Sequence, residues 1–74
     1  MNKTIKLKEL SDIYSFVQEA SKVDGDVLVQ RGKFTVDAKS ILGILSLDMS
    51  QGALITYPED ANDFDNYLSN FEIK

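Results

Sequence analysis

Ser40 is the side chain whose type and position most clearly suggest chemistry in this 74-residue chain. It stands directly before Ile41-Leu42-Gly43-Ile44-Leu45, a position typical of a serine that caps the N-terminus of a short helix. A helix N-terminus offers free backbone N–H groups and a positive dipole end, and both favour a phosphate group. From the residues alone, however, a plain capping role explains Ser40.

Two groups of carboxylates are the other candidates for a site. Glu9 and Asp12 lie near a predicted helix start, but no histidine or cysteine accompanies them as base or nucleophile. The acidic run at 59–65 fails the EF-hand calcium template, because Phe64 occupies a ligand position and no glycine follows. Acidic residues are favoured at a helix N-terminus by the dipole. Neither group predicts a catalytic or metal site.

The composition excludes several function classes. The absence of histidine and cysteine removes the commonest acid–base group, thiolate metal sites and Ser-His or Cys-His pairs, so we expect neither an enzyme nor a cofactor. The net charge is −4, and residues 40–74 carry six acidic and one basic side chain. This charge balance does not favour binding to nucleic acid, which is itself negatively charged. No apolar run suggests a signal peptide or membrane anchor. A cytoplasmic protein with protein partners is the default expectation.

The spacing of apolar residues predicts the elements that must position Ser40. Period-2 alternation or short β-branched runs predict four strands, within 4–8, 26–31, 34–36 and 53–57. Helical spacing predicts a first helix capped by Ser11, a short second helix capped by Ser40, and a third capped by Asp60 or Asn62. Gly32 is predicted to form the tight turn of a β-hairpin between the second and third strands.

The resulting order, β-α-β-β-α-β-α, predicts a single α+β domain over residues 1–74. Its helices would cover one face of a four-stranded sheet in an open-faced sandwich. A ferredoxin-like split βαβ arrangement has nearly the same element order and is the alternative fold. The predicted core draws on every element: Ile5, Leu7, Phe16, Val17, Val27, Val29, Phe34, Val36, Ile44, Leu47, Leu54, Ile55, Leu68 and Phe71.

The segment after Ser40 carries more apolar residues than a short helix can bury. Five of the seven residues at 41–47 are large aliphatics, whereas a helix buries about half of its circumference. Some of them must therefore face solvent or a partner. We predict a docking surface beside Ser40, with Lys39 as a further candidate for partner recognition. The candidate apolar residues of that surface are Ile41, Leu42, Leu45 and Met49.

Residues 38–47, AKSILGILSL, followed by Gln51-Gly52, resemble the HPr family, the small phosphocarriers of the bacterial sugar phosphotransferase system. Residues 16–22, FVQEASK, are similar to the first helix of that family. The resemblance implies an HPr-like open-faced β-sandwich with an antiparallel sheet. In Gram-positive members the serine at the position of Ser40 is phosphorylated by a dedicated kinase/phosphatase, and the modified protein binds a transcriptional regulator. The resemblance implies partners of these kinds here.

The sequence departs from the family at the active centre. The family carries phosphate on the histidine of a Gly-Leu-His-Ala-Arg-Pro loop, whereas residues 8–13 read KELSDI, without histidine, arginine or proline. The resemblance therefore implies an HPr-like protein that cannot carry phosphohistidine and acts by protein docking, with Ser40 as its regulatory candidate. One family branch keeps that serine without the histidine. The alternatives are a degenerate paralogue that serves as an interaction or structural domain, and a small enzyme of unidentified type.

Overall fold

A single four-stranded sheet organises the computed structural model, which describes residues 1–73. Its strands are β1 (Asn2–Ile5), β2 (Leu28–Arg31), β3 (Phe34–Asp37) and β4 (Ala53–Thr56). Three α-helices accompany it: α1 (Leu10–Ser21), α2 (Ile41–Leu45) and α3 (Asn62–Ser69). A 3₁₀ helix, Met49–Gln51, follows α2. The predicted element order and the α+β class are confirmed.

The sheet order is β1-β4-β2-β3, and all three pairings of these strands are antiparallel. A ferredoxin-like split βαβ sheet is also antiparallel, but its first and third strands lie at the centre. Here β4 and β2 lie at the centre, so the strand order excludes the ferredoxin-like alternative. Gly32, with φ of +60°, provides the left-handed conformation that the tight β2–β3 turn requires. The hairpin predicted around Gly32 is thus confirmed.

The core lies between the sheet and the helices. Phe16 of α1 and Phe64 of α3 have ring centroids 5.9 Å apart, and Phe64 meets Tyr57 edge-on at 5.6 Å. Such aromatic pairs add stabilisation beyond simple burial. The predicted core residues that are fully buried are Ile5, Leu7, Phe16, Val27, Val29, Ile44, Ile55 and Leu68. Those partly buried against them are Val17, Val36, Leu47 and Phe71.

Two predicted core residues do not belong to the core. Phe34 is 68% exposed, because it lies at the hairpin end of β3, beyond the cover of the helices. Leu54 is half-buried and faces the open side of the sheet, since it is paired with Thr4 and Gln30, which are both exposed, and cross-strand partners share a face. Alternation identifies the two faces of a strand, but it does not reveal how far the helices extend over one of them.

Two helix starts also differ from prediction. Helix α1 begins at Leu10, so Ser11 is not its N-cap, and α3 is preceded by Ala61 rather than capped by Asp60 or Asn62. Neither start has a side-chain capping hydrogen bond. Packing of the apolar helix faces against the sheet therefore decides where these helices begin, as is usual for short helices.

Candidate docking and modification site

Ser40 caps α2 as predicted and keeps its hydroxyl accessible. Its Oγ accepts the Gly43 N–H at 3.2 Å, and the side chain is exposed. The Ser40 N–H donates to the Asp37 carbonyl at 3.0 Å, while the Ser40 carbonyl accepts the Ile44 N–H at 3.0 Å. Backbone hydrogen bonds on both sides thus hold the residue in place. The hydroxyl is presented to solvent from a fixed backbone.

Lys39 is anchored to the loop that follows α1. Its Nζ donates to the carbonyl oxygens of Val23 and Gly25, each at 2.9 Å, and the side chain is half-buried. The Lys39 N–H donates to the Asp37 carboxylate at 2.9 Å. Lys39 is therefore not a fully solvated surface lysine. Because an ammonium has three N–H donors, at most one remains for a partner.

The aliphatics beside Ser40 divide between the surface and the core. Leu42 is 78% exposed and Leu45 is 43% exposed; three residues apart, they are neighbours on the surface of α2. Ile41 is half-buried, and Ile44 points into the core. Met49 is 1% exposed, so its inclusion in the docking surface is wrong. The exposed α2 surface is therefore defined by Ile41, Leu42 and Leu45.

Met49 is buried because the chain changes conformation between α2 and the 3₁₀ helix. Asp48 starts the 3₁₀ helix as its N-cap, with Oδ1 accepting the Ser50 N–H at 3.2 Å. This new turn directs Met49 inward, where its carbonyl accepts the Leu7 N–H at 3.0 Å. Helical spacing continued from α2 would place Met49 beside Leu45, and that continuation does not occur.

Helix α2 packs closely on β3 at Gly43. A Cβ built on Gly43 would lie 3.3 Å from the Val36 Cβ and 3.4 Å from the Ser40 Oγ. The absence of a side chain therefore lets the helix approach the strand. This contact fixes the height of Ser40 and of the exposed α2 surface above the sheet.

The predicted carboxylate groups form no reactive arrangement. Glu9 is the exposed N-cap residue of α1, and Asp12 is half-buried in the first turn of that helix. The Glu9 carbonyl accepts the N–H groups of Asp12 and Ile13 at 3.0 and 3.2 Å. Within residues 1–73, no group of three or more His, Cys, Asp or Glu side chains could hold a metal ion.

Asp65, in the acidic run, has a structural role. The Tyr57 hydroxyl donates to Asp65 Oδ1, and the Lys3 Nζ lies 3.1 Å from the same oxygen. The hydrogen bonds from Tyr57 and Lys3 lower the pKa of the Asp65 carboxyl, while burial and the neighbouring Asp65 charge raise the pKa of Tyr57. This network joins α3 to β1 and to the residue after β4.

None of the helices in residues 1–73 has the length and apolar character needed to cross a membrane.

Comparison of sequences relates this chain to phosphotransferase-system proteins. A family model described as "PTS HPr component phosphorylation site" matches residues 13–70. The HPr-like protein Crh of Halalkalibacterium halodurans is 38% identical over 48 residues, which are 65% of this chain and 57% of that relative. The HPr-like protein Crh of Bacillus subtilis is 44% identical over 41 residues, 55% of this chain and 48% of that relative. The matched segments thus span about half the length of these two relatives.

Solved structures show the same architecture over nearly the whole chain. The crystal structure of HPr-C-His from Thermoanaerobacter tengcongensis superposes with a TM-score of 0.78 at 29% identity, covering 95% of this chain and 88% of that one. The phosphocarrier protein HPr from Bacillus anthracis str. Ames gives a TM-score of 0.73 at 28% identity, covering 99% and 96%. The predicted sandwich topology is therefore confirmed.

Proposed function

The chain belongs to the HPr family of the phosphotransferase system, and from that premise we propose that it is a non-catalytic member that acts by docking to a protein partner. The observation that carries this proposal is the position of Ser40, which presents an exposed hydroxyl next to the exposed leucines of α2. Leu42 and Leu45 offer apolar surface for a partner. Ser40 is the residue at which that contact would be regulated.

The proposed role does not include phosphohistidine transfer. The sequence contains no imidazole that could accept a phosphoryl group from enzyme I. At the start of α1, where the family has its histidine loop, this chain has the exposed residues Lys8, Glu9 and Leu10. The Glu9 carboxylate would repel an incoming phosphoryl group rather than accept it.

Phosphorylation of Ser40 would change the affinity for the partner and would leave the fold unchanged. In this step Ser40 Oγ bonds to the γ-phosphorus of ATP, ADP leaves, and the hydroxyl proton is released. The product carries about two negative charges beside Leu42 and Leu45. Because the side chain is exposed and its backbone is held by Asp37 and Ile44, the added charge is accommodated in water. A partner with a basic group next to an apolar pocket would then bind the modified form more tightly.

The experiment is to incubate the chain with an HPr serine kinase/phosphatase and ATP, and to map phosphate by mass spectrometry. An HPr from a Gram-positive bacterium in the same tube verifies that the kinase is active. We expect phosphate on Ser40 and none on the Ser40→Ala variant. Ser46→Ala is the matched control, since Ser46 is an exposed serine at the other end of α2. If Ser40 is untouched while the HPr is modified, regulation at Ser40 is refuted and a degenerate paralogue becomes the better interpretation.

A further inference from the structure

A cleft lies between the β2–β3 turn and the end of α2, away from Ser40. Arg31 and Lys33 line it on the turn side, together with Phe34, and residues 46–48 line it on the α2 side. Sequence reasoning missed this cleft, because the β3 pattern places Phe34 in the core. We name it the turn cleft.

Phe34 is exposed in the turn cleft for an identifiable reason. The side chains of Phe34 and Val36 project to the same face of β3, and α2 covers Val36 through its contact at Gly43. The α2 helix ends at Leu45, so no helix covers Phe34. The partly buried Leu47 continues the apolar lining down to the core.

Two basic side chains and one acidic side chain line the turn cleft, so its charge balance is positive, although the chain as a whole carries −4. Arg31 is held in place, with Nη1 donating to the Gly52 carbonyl at 3.1 Å. The Asp48 carboxylate also lines the cleft and stays negative, with Oδ1 accepting the Ser50 Oγ–H at 2.5 Å and the Ser50 N–H at 3.2 Å. Lys33 is exposed and forms no ion pair within residues 1–73. A ligand entering the cleft therefore meets an unpaired ammonium beside an exposed aromatic ring.

We propose that the turn cleft binds a short acidic segment of a protein partner, with an aliphatic side chain against Phe34 and Leu47 and a carboxylate at Lys33. Charge complementarity favours an acidic segment here, and the negative charge elsewhere on the chain disfavours its binding at other places. The same net charge disfavours nucleic acid.

The probe is a six-residue peptide of alternating Glu and Leu, blocked at both ends, titrated into the ¹⁵N-labelled full chain. We expect amide shifts at Lys33, Phe34 and Leu47, and binding at least about tenfold weaker for a peptide of alternating Lys and Leu. Lys33→Glu and Phe34→Ala should each weaken binding about fivefold or more. The matched controls are Lys8→Glu, which makes the same charge change, and Tyr14→Ala, which removes an aromatic ring that is 49% exposed; both should change binding less than about twofold.

Four outcomes would overturn the assignment. These are shifts confined to the exposed α2 surface, equal binding of the two peptides, tighter binding of a single-stranded oligonucleotide, and concentration-dependent shifts at Phe34 without peptide, which would indicate self-association. The amide spectrum of each variant verifies that it is folded. Since neither probe nor variants involve Ser40, failure of this experiment is distinguishable from failure of phosphorylation at Ser40.

Discussion

Replacement of Lys39 by methionine tests whether this lysine anchors α2 to the end of α1. Lys39→Met retains most of the apolar stem and removes the ammonium that donates to the carbonyl oxygens of Val23 and Gly25. Those carbonyls belong to the loop after α1, 16 and 14 residues away in sequence. The change therefore removes a connection between two elements without creating a large cavity.

The expected loss of stability follows from the two hydrogen bonds. A hydrogen bond to a charged group contributes about 1.5–3 kcal/mol. Here the site is only half-buried, so water replaces part of each interaction, and we expect a combined loss of about 1–2 kcal/mol in the free energy of unfolding. A domain of this size has roughly 4–11 kcal/mol in total, and each 1 kcal/mol lowers Tm by about 4–8 °C.

Urea unfolding followed by circular dichroism measures this loss. Lys8→Met is the matched control, because Lys8 is exposed and makes no ion pair within residues 1–73; its effect should stay within about 0.5 kcal/mol. Hydrogen exchange provides a second readout, since the amides at Gly43 and Ile44 should exchange faster when the start of α2 is released. If Lys39→Met and Lys8→Met unfold at the same urea concentration, the anchoring role of Lys39 is refuted.

Three further predictions concern the carboxylate network, the α2 surface and the missing histidine. The hydrogen bond from Tyr57 lowers the folded-state pKa of Asp65. The stability that ionised Asp65 gives the fold is therefore complete above the ordinary Asp pKa of about 3.9 and is lost as the pH falls through the lowered value. On acidification, the urea midpoint of Asp65→Asn should therefore fall less than that of the wild type. Leu42→Asp should leave the free energy of unfolding within about 0.5 kcal/mol of wild type, whereas Ile44→Ala in the core should cost about 2–5 kcal/mol; equal losses in urea unfolding would contradict the assigned exposures. Enzyme I and phosphoenolpyruvate should transfer no phosphate to the chain, and stable labelling of any residue in that assay would contradict its assignment as a non-carrier.

The parts of the structure that depend on local sequence were predictable. Ser40 caps α2 through a hydrogen bond to Gly43, three residues away, and such a contact is visible in the sequence as a serine before an apolar run. The buried stripes of α1 and α3 follow from helical spacing in the same way. The hairpin follows from a glycine between two β-rich segments.

Two of the features that were missed depend on contacts between distant parts of the chain, and the third depends on a local change of helix type. Lys39 bonds to carbonyls far away in sequence, and no local pattern marks a lysine for such a role. Phe34 alternates correctly with Val36, but its exposure depends on where α2 ends above the sheet. Met49 is buried because a 3₁₀ turn interrupts the helical spacing that would have placed it beside Leu45.

The distinction between a regulatory protein and a degenerate paralogue depends on which residues the fold itself requires. Ser40 and Lys39 both have structural roles, as cap and as anchor, so their presence is explained without phosphorylation. Leu42 has no such role, because it is 78% exposed and contributes nothing to the core. A partner that loses affinity for Leu42→Asp, while the folded chain keeps its stability, would therefore support docking more directly than the presence of the serine does. If phosphorylation of Ser40 then changes the affinity of that same partner, it would support both docking and the regulation of docking at Ser40.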